Sequence, residues 1–464
     1  MTASPQPPPP PPAESGPLPG ARLALGLLLA INLFNYLDRQ VLAAVVPHLK
    51  SSLFQSGQNH GMESFLAWAE QHLGFKPENA LIGLLSMAFM LCYMLAAPLF
   101  GRLAVRHSRW LIIGLAVMAW SLASGASGLA VTFIGLLLTR CLVGIGEAAY
   151  GPAAPALLSD YFPLQVRGRI LSVFYLAIPV GSALGYVLGE QVAKSGLGAW
   201  AATWLGRETE SWRWAFYLVV PPGLALGLWA MFLREPLKAG APTPKCSAGL
   251  RDYLGFFRIP SFVYCTLGMA AMTFAIGGIG FWMPYFLEHL PGKPGSPTTI
   301  FGLLTVVAGL AATLAGGWAG DRLRQRFPGS YFLVSGIAML VGFPLFLAAL
   351  FAGYPYIWPG IFLACFCLFF NTGPTNTILA NVSPARLRPA AFALNILIIH
   401  LLGDVISPVI VGLVADRWSL RAGFLLVGLM FLVSGALWLA GARHLARDTA
   451  RAAADTPGHP TTSP

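Results

Sequence analysis

Six ionisable residues interrupt long apolar runs: Asp38 and Arg39 in 22–48, Arg140 and Glu147 in 131–157, His400 and Asp404 in 390–415. A charged side chain in hydrocarbon costs about 2.5–3.5 kcal/mol on insertion scales, so each position asks for a purpose. Two kinds of chemistry fit these types. Asp38 or Glu147 can take up a proton, because desolvation favours a neutral carboxyl while a nearby arginine favours the carboxylate. Movement of Arg39 or Arg140 between states would then switch proton affinity. The planar fork of an arginine also suits a phosphate or carboxylate head group. On a helix, Arg140 and Glu147 at i and i+7 share one face, and His400 and Asp404 at i and i+4 are neighbours. Asn32, Asn35 and Gln40 add uncharged polarity around the first pair. The plainer alternative is a set of static ion pairs pinning helices together. Three runs with ionisable groups at similar depth favour a central polar site.

The elements that must position these groups follow from composition. The 464 residues are 56% hydrophobic and only 10% charged, against roughly 45–50% apolar and about 25% charged in a soluble domain. So few charges cannot solvate the exterior of a soluble fold. Twelve apolar segments recur, at 22–48, 80–103, 110–127, 131–157, 170–193, 213–233, 261–287, 299–320, 330–352, 356–382, 390–415 and 421–441. Each is long enough to cross about 30 Å of hydrocarbon as a helix. The short alternating strands of a membrane barrel are missing. An even number of spans puts both termini on one side. The loops of that side hold most of the arginines, among them Arg102, Arg106 and Arg109, Arg167 and Arg169, Arg322, Arg324 and Arg326, and Arg386 and Arg388. Basic loops stay inside, so both termini are expected in the cytoplasm. The net charge of +11 then sets topology and gives no reason to expect a nucleic-acid partner.

The chain divides into a Pro-rich N-terminal tail read as disordered (1–20), a first half (21–233), a cytoplasmic linker (234–260), a second half (261–442) and a cytoplasmic tail (443–464). The halves echo each other. Gly101-Arg-Leu-Ala-Val-Arg-His-Ser-Arg109 follows the second span, and Gly317-Trp-Ala-Gly-Asp-Arg-Leu-Arg-Gln-Arg326 follows the eighth. Such a repeat of six plus six is the organisation of a rocking transporter. Asp321, Arg322 and Arg324, with Arg102 and Arg106, stand at span ends and are expected to form a cytoplasmic latch. The long loop 50–79 carries Phe65, Leu66, Ala69 and Leu73 at helical spacing, which fits either a helix on the outer membrane surface or a solvated cap. The six cysteines show no metal-ligand spacing, and neither a metal nor a cofactor is expected. The glycine-rich spans lack the strand and Lys-Ser/Thr of a phosphate loop. No enzyme is expected either: His400 has no adjacent nucleophile, with Ser407 seven residues on, and Gly-x-Ser-x-Gly and His-Glu-x-x-His do not occur.

At these residues the chain resembles the major facilitator superfamily and, within it, the Spinster family. Four stretches carry the resemblance: Asn32 to Arg39, Arg140 to Ala148, Phe174 to Tyr186, and His400 to Pro408. It extends over about residues 22–440. The resemblance implies an all-α membrane protein of twelve transmembrane helices in two pseudo-symmetric six-helix halves, the major facilitator fold. Spinster proteins transport lysophospholipids and sphingosine-1-phosphate in animals. By resemblance, Asp38, Arg39, Arg140 and Glu147 look like the proton-coupling and gating group, and His400 like a functional residue of the second half. Two departures stand out: Val105 occupies an acidic position of the first basic motif, and the 50–79 insertion is long. The first implies a latch that is weaker on that side or relies on Asp321; the second, with the compact tails, points to a bacterial member in the inner membrane.

The expected function is proton-coupled alternating-access transport of an amphipathic anionic lipid by a monomer. Its head group would lie at Arg39 and Arg140, and its pathway would include Asn35, Tyr175, Phe281, Trp282, His400 and Asp404. A drug or small organic-anion antiporter is the alternative, followed by a lipid scramblase or channel.

Overall fold

The computed structural model describes residues 16–54, 60–206, 209–235 and 249–454. The expectations for the tail before residue 16, for most of the linker (236–248), for the end after residue 454 and for the Val105 side chain lie outside the described residues. Twelve helices have the length and apolarity to cross a membrane: Ala21–Phe54, Glu78–Ala104, Arg109–Leu129, Phe133–Tyr161, Arg169–Lys194, Ser211–Met231, Pro260–Glu288, Pro297–Arg324, Ser330–Phe351, Ile357–Val382, Arg388–Arg417 and Leu420–Ala454, called spans one to twelve below. Among the described residues there is no strand.

Prolines explain where the spans break. A proline has no N–H for the carbonyl four residues earlier, which loosens the helix at that turn. Pro152, Pro179, Pro222, Pro374 and Pro408 therefore predict weak points at Ala148, Tyr175, Leu218, Phe370 and Asp404. The helices indeed divide after Ala148, Tyr175, Tyr217 and Phe369, and the run His400–Asp404 winds as a π-helical turn. Within that turn Gly403 takes a non-helical conformation (φ −108°, ψ −107°). The breaks in spans four and five have counterparts in spans ten and eleven, the equivalent positions of the second half.

Spans one to six pack mainly on one another: one on five, two on four, three on four and on six. Spans seven to twelve do the same: seven on twelve, nine on ten and on twelve, eight on ten. Three helix pairs join the groups: one with seven, two with eleven, and five with eight. The hydrogen bonds across these seams lie towards the ends opposite the termini. Tyr186 Oη donates to Gly280 O (2.6 Å), Gln191 Nε2 to Ser296 Oγ (3.0 Å), and Lys194 pairs with Glu288 (2.7 Å). On the termini side the main polar contacts stay within one half, as in Arg109 with Asp160, Asp321 with Tyr331, and Asp448 with Ser261. The halves are thus joined most closely at the face opposite the termini.

The second seam is tight because it runs on glycine. A Cβ on Gly83 would meet the carbonyl carbon of Pro408 at 2.6 Å, and one on Gly412 would meet the carbonyl of Asn79. Backbone cannot swing aside as a flexible side chain can, and overpacking costs about 1–3 kcal/mol. Gly83→Ala is therefore expected to loosen the sealed face. Spin labels at Ser51 and His289 in detergent should show a longer-distance population that the parent chain lacks.

The helix His60–Leu73 in the first long loop buries Leu66 and Ala69 and exposes Phe65, Trp68 and Leu73. It thus packs on the bundle along one face while presenting an apolar face outward, combining the two readings that its spacing allowed.

Candidate functional site

Span one brings Asp38 and Arg39 to the interior of the first half, and span four brings Arg140 and Glu147 to meet them. Arg39 Nε donates to Glu147 Oε2 at 2.7 Å; the arginine side chain keeps 15% exposure and the glutamate 0%. Three aromatic rings surround the same guanidinium, with centroids at 4.9 Å (Tyr36), 5.2 Å (Phe89) and 5.1 Å (Tyr93). Cation–π contacts of this kind stabilise by about 0.5–2 kcal/mol each, more when water is excluded. They hold Arg39 in place with few hydrogen bonds, so it can leave Glu147 without abandoning all its contacts.

Arg140 and Asp38 complete the cluster in a different manner. Arg140 is 1% exposed, lies over Phe89 (5.6 Å), and its Nε and Nη1 have no hydrogen-bond partner among the described residues. Asp38 accepts a hydrogen bond from Ser124 Oγ through Oδ1, while its Oδ2 is unpartnered. Glu147 Oε1 and Asn35 Nδ2 are buried and unpartnered as well. Buried polar groups are normally satisfied. A site with two arginine nitrogens and two carboxylate oxygens left over is poised for rearrangement or for a proton, and differs from a saturated structural ion pair. The expected grouping of Asp38, Arg39, Arg140 and Glu147 is thus one contiguous cluster. Only Arg39 of its two cations has any exposure to offer a ligand in this conformation.

The other expected pathway residues separate into distinct places. Tyr175, at the break in span five, is 47% exposed and packs edge-on to Phe174 (5.2 Å). His400 Nδ1 lies 2.9 Å from Asp404 Oδ1 in the π-helical turn, with side-chain exposures of 31% and 21%. Phe281 and Trp282 stand apart. Phe281 is 7% exposed and Trp282 0%, and the Trp282 indole donates to Pro408 O at 2.8 Å. Trp282 thus ties span seven to span eleven, Phe281 packs edge-on to it (5.1 Å), and both are buried in this conformation. The reason is that span seven is apolar on all sides, so periodicity gave no face to choose from.

Among the described residues, those of the expected latch do not meet across the halves. Asp321 Oδ1 accepts from Tyr331 Oη (2.7 Å) and Arg324 lies over the same ring (5.7 Å), both within the second half, while Arg102, Arg106 and Arg322 are exposed. The first half has instead a cluster that the sequence reading passed over: Arg109 pairs with Asp160 (2.7 Å) and Glu235 (3.3 Å), joining the ends of spans three, four and six.

The sealed face holds the second missed group. Helix N-termini leave unsatisfied N–H donors, normally capped by a nearby side chain. Neither span two nor span eight has a side-chain cap of its own. Each receives one from the other half. Asp416 of span eleven accepts from Asn79 N (2.9 Å), Ala80 N (2.8 Å) and Asn79 Nδ2 (2.7 Å). Glu190 of span five accepts from Thr299 N (2.6 Å) and Thr298 N (3.3 Å). Spans two and eight are equivalent in the repeat, as are five and eleven, so the seal is one device used twice. Lys50 adds to it, donating to Asn79 Oδ1 (2.7 Å) beneath the ring of Tyr285 (5.1 Å). An acidic residue near the far ends of spans five and eleven, with helix starts at Pro77 and Pro297, was the available signal. Nothing in the sequence says which carboxylate meets which helix.

Comparison with known proteins follows from this geometry. The Major Facilitator Superfamily model matches residues 28–403. Human protein spinster homolog 3 is 32% identical over 490 residues, covering 95% of this chain and 86% of that protein. Human protein spinster homolog 1 is 33% identical over 435 residues, covering 87% and 75%. Among solved structures, a bacterial homolog of the human lysosomal transporter Spinster, in an inward-facing and unoccupied conformation, superposes with a TM-score of 0.81 at 22% identity, over 93% of this chain and 99% of that one. The chain belongs to the Spinster family of the Major Facilitator Superfamily, a multi-pass secondary transporter whose work is transport rather than catalysis.

Proposed function

We propose that the protein moves an amphipathic anionic lipid, a lysophospholipid or a sphingosine-1-phosphate-like molecule, by proton-coupled alternating access. The observation that carries this is the Arg39–Glu147 pair: a sealed carboxylate whose cation has one aromatic-lined, accessible side. In this reading the cluster is reached from the termini side, and the excess of arginines in the loops of that side supports a cytoplasmic orientation in the inner membrane of a bacterium. A head-group anion entering there meets Arg39 between Tyr36 and Tyr93, with Tyr175 beside the entry. A proton on Glu147 replaces Arg39 as the partner of that carboxylate, and the freed guanidinium turns to the head group. Asp38 and Arg140 repeat the exchange deeper in the bundle, as their unpartnered atoms allow. The His400–Asp404 turn lies on the second half, at a point where span eleven bends most easily.

The substrate class is tested in proteoliposomes with an imposed pH gradient and a panel of labelled lysolipids and water-soluble organic anions. Gradient-dependent accumulation of lysolipid, with soluble anions competing weakly, is the expected result. Full competition by a soluble anion would make the protein an organic-anion antiporter. Bidirectional flux independent of pH would make it a scramblase or channel.

A further inference from the structure

On the termini face, away from the central cluster, three short elements of the second half converge. They are the helix Leu250–Phe256 leading into span seven, the segment 382–387 between spans ten and eleven, and the helix Leu445–Ala454 at the end of span twelve. Between them lies a crevice of about 300 Å³ whose rim carries Arg251, Arg258, Arg386, Arg447 and Arg451. Two carboxylates share it, but both are engaged. Asp448 is buried; its Oδ2 accepts from Ser261 N (3.0 Å), capping span seven, and its Oδ1 from Arg447 Nε (3.1 Å). Asp252 Oδ2 accepts from Gly249 N (2.9 Å). Arg251, Arg258 and Arg451 form no ion pair among the described residues. Two of the three elements therefore bring unpaired like charges, Arg251 and Arg258 on one and Arg451 on the other, to one small space, a repulsion that an entering anion relieves.

The floor and surroundings narrow the class of anion. Phe256, Val382 and Leu387 make the base apolar, and all three are buried. On the outer side of the same short helix, Leu254 and Phe257 are 57% and 51% exposed, at the level where the spans end. Exposed apolar side chains at that depth face the head-group layer of a bilayer. Arginine forks are matched to phosphate oxygens, and basic pockets at this depth meet phosphodiesters of anionic lipids.

We propose that this crevice binds the phosphate of an anionic phospholipid, such as phosphatidylglycerol, as a fixed lipid of the termini face and not as transported cargo. The lipid ties the end of the linker, the loop between spans ten and eleven and the last helix into one unit. The same phosphate chemistry is available in a soluble organic phosphate, and the test separates the two sources. The full-length protein, purified in a neutral detergent, is titrated with phosphatidylglycerol, phosphatidylcholine and glycerol 3-phosphate. Bound molecules are counted by native mass spectrometry and stability is followed by thermal unfolding. Phosphatidylglycerol is expected to bind and stabilise, phosphatidylcholine and glycerol 3-phosphate not. Arg258→Gln should weaken the apparent affinity roughly tenfold, and Arg251→Gln, Arg258→Gln and Arg451→Gln together should abolish the stabilisation while leaving unfolding in neutral detergent unchanged. Removing Arg22, Arg169 and Arg326, exposed on the same face, should leave it intact. Equal binding of phosphatidylcholine, or phosphatidylglycerol stabilisation retained by the triple crevice variant, would overturn the proposal. Stabilisation by glycerol 3-phosphate matching that of the lipid would overturn the lipid assignment.

Discussion

Proteoliposomes carrying Glu147→Gln are expected to lose uptake driven by a pH gradient by about 100-fold or more, while exchange of labelled for unlabelled substrate persists. Glu147 is fully sealed and meets Arg39 at 2.7 Å. In the proposed exchange this carboxylate takes up the coupled proton, and an amide does not titrate, so the gradient-driven step has no carrier for the proton. Glutamine keeps the shape and a hydrogen-bond acceptor but carries no titrating proton, so it removes coupling and leaves the chain folded. Exchange requires only that the loaded carrier reorient, and it survives because Arg39 remains caged by Tyr36, Phe89 and Tyr93. Arg39→Gln should differ: it removes the cation proposed to meet the head group, so both uptake and exchange should fall. A single static ion pair would instead give two variants with the same mild loss in both assays and lowered thermal stability. Uptake and exchange measured side by side on the two variants distinguish these outcomes.

The second large effect is conformational. Glu190→Gln combined with Asp416→Asn should shift the molecule away from the sealed state at the face opposite the termini. Each carboxylate caps the N-terminus of a helix in the other half. A cap contributes about 0.5–2 kcal/mol, and a negative charge at a helix N-terminus adds about 0.3–1 kcal/mol. The two caps sit on different helix pairs, so their effects add. The neutral pair keeps one amide oxygen at each cap and gives up the charge and the second oxygen, so it should raise the fraction open at that face by about tenfold. Distance distributions between labels at Ser51 and His289 report that fraction, and the single variants should fall between the parent and the double. The Lys194–Glu288 pair remains in the double variant, so the shift should be large yet incomplete.

Much of the architecture was legible in the residues. Composition identified lipid as the solvent, and the span lengths predicted the twelve membrane-length helices now found, with the largest displacements at the ends of span one (48 to 54) and span twelve (441 to 454). The four-residue cluster was legible too, because each member violates an apolar run and charges in hydrocarbon are too costly to be incidental. Other parts depend on partners distant in sequence. Asp416 caps a helix that begins more than 300 residues earlier, and no local pattern encodes that meeting. The surroundings of Trp282 were not legible for a different reason: span seven is apolar on all sides, so its hydrophobic pattern has no preferred direction, and only packing shows that the indole donates to the Pro408 carbonyl. The latch was legible as a set of residues but not as a state. Asp321 accepts from Tyr331 of its own half, and its pattern of residues says nothing of when the two halves meet there.

The exchange of Arg39 for a proton on Glu147 is the centre of the account, and a count of protons tests it most directly. A lysolipid that the protein transports is added to purified protein in weakly buffered solution near neutral pH, and the protons taken up or released on binding are read from a pH indicator. The account predicts a stoichiometric proton change for the parent chain that disappears in the Asp38→Asn, Glu147→Gln double variant while the lysolipid still binds. The same proton change in the double variant, with binding intact, would contradict it.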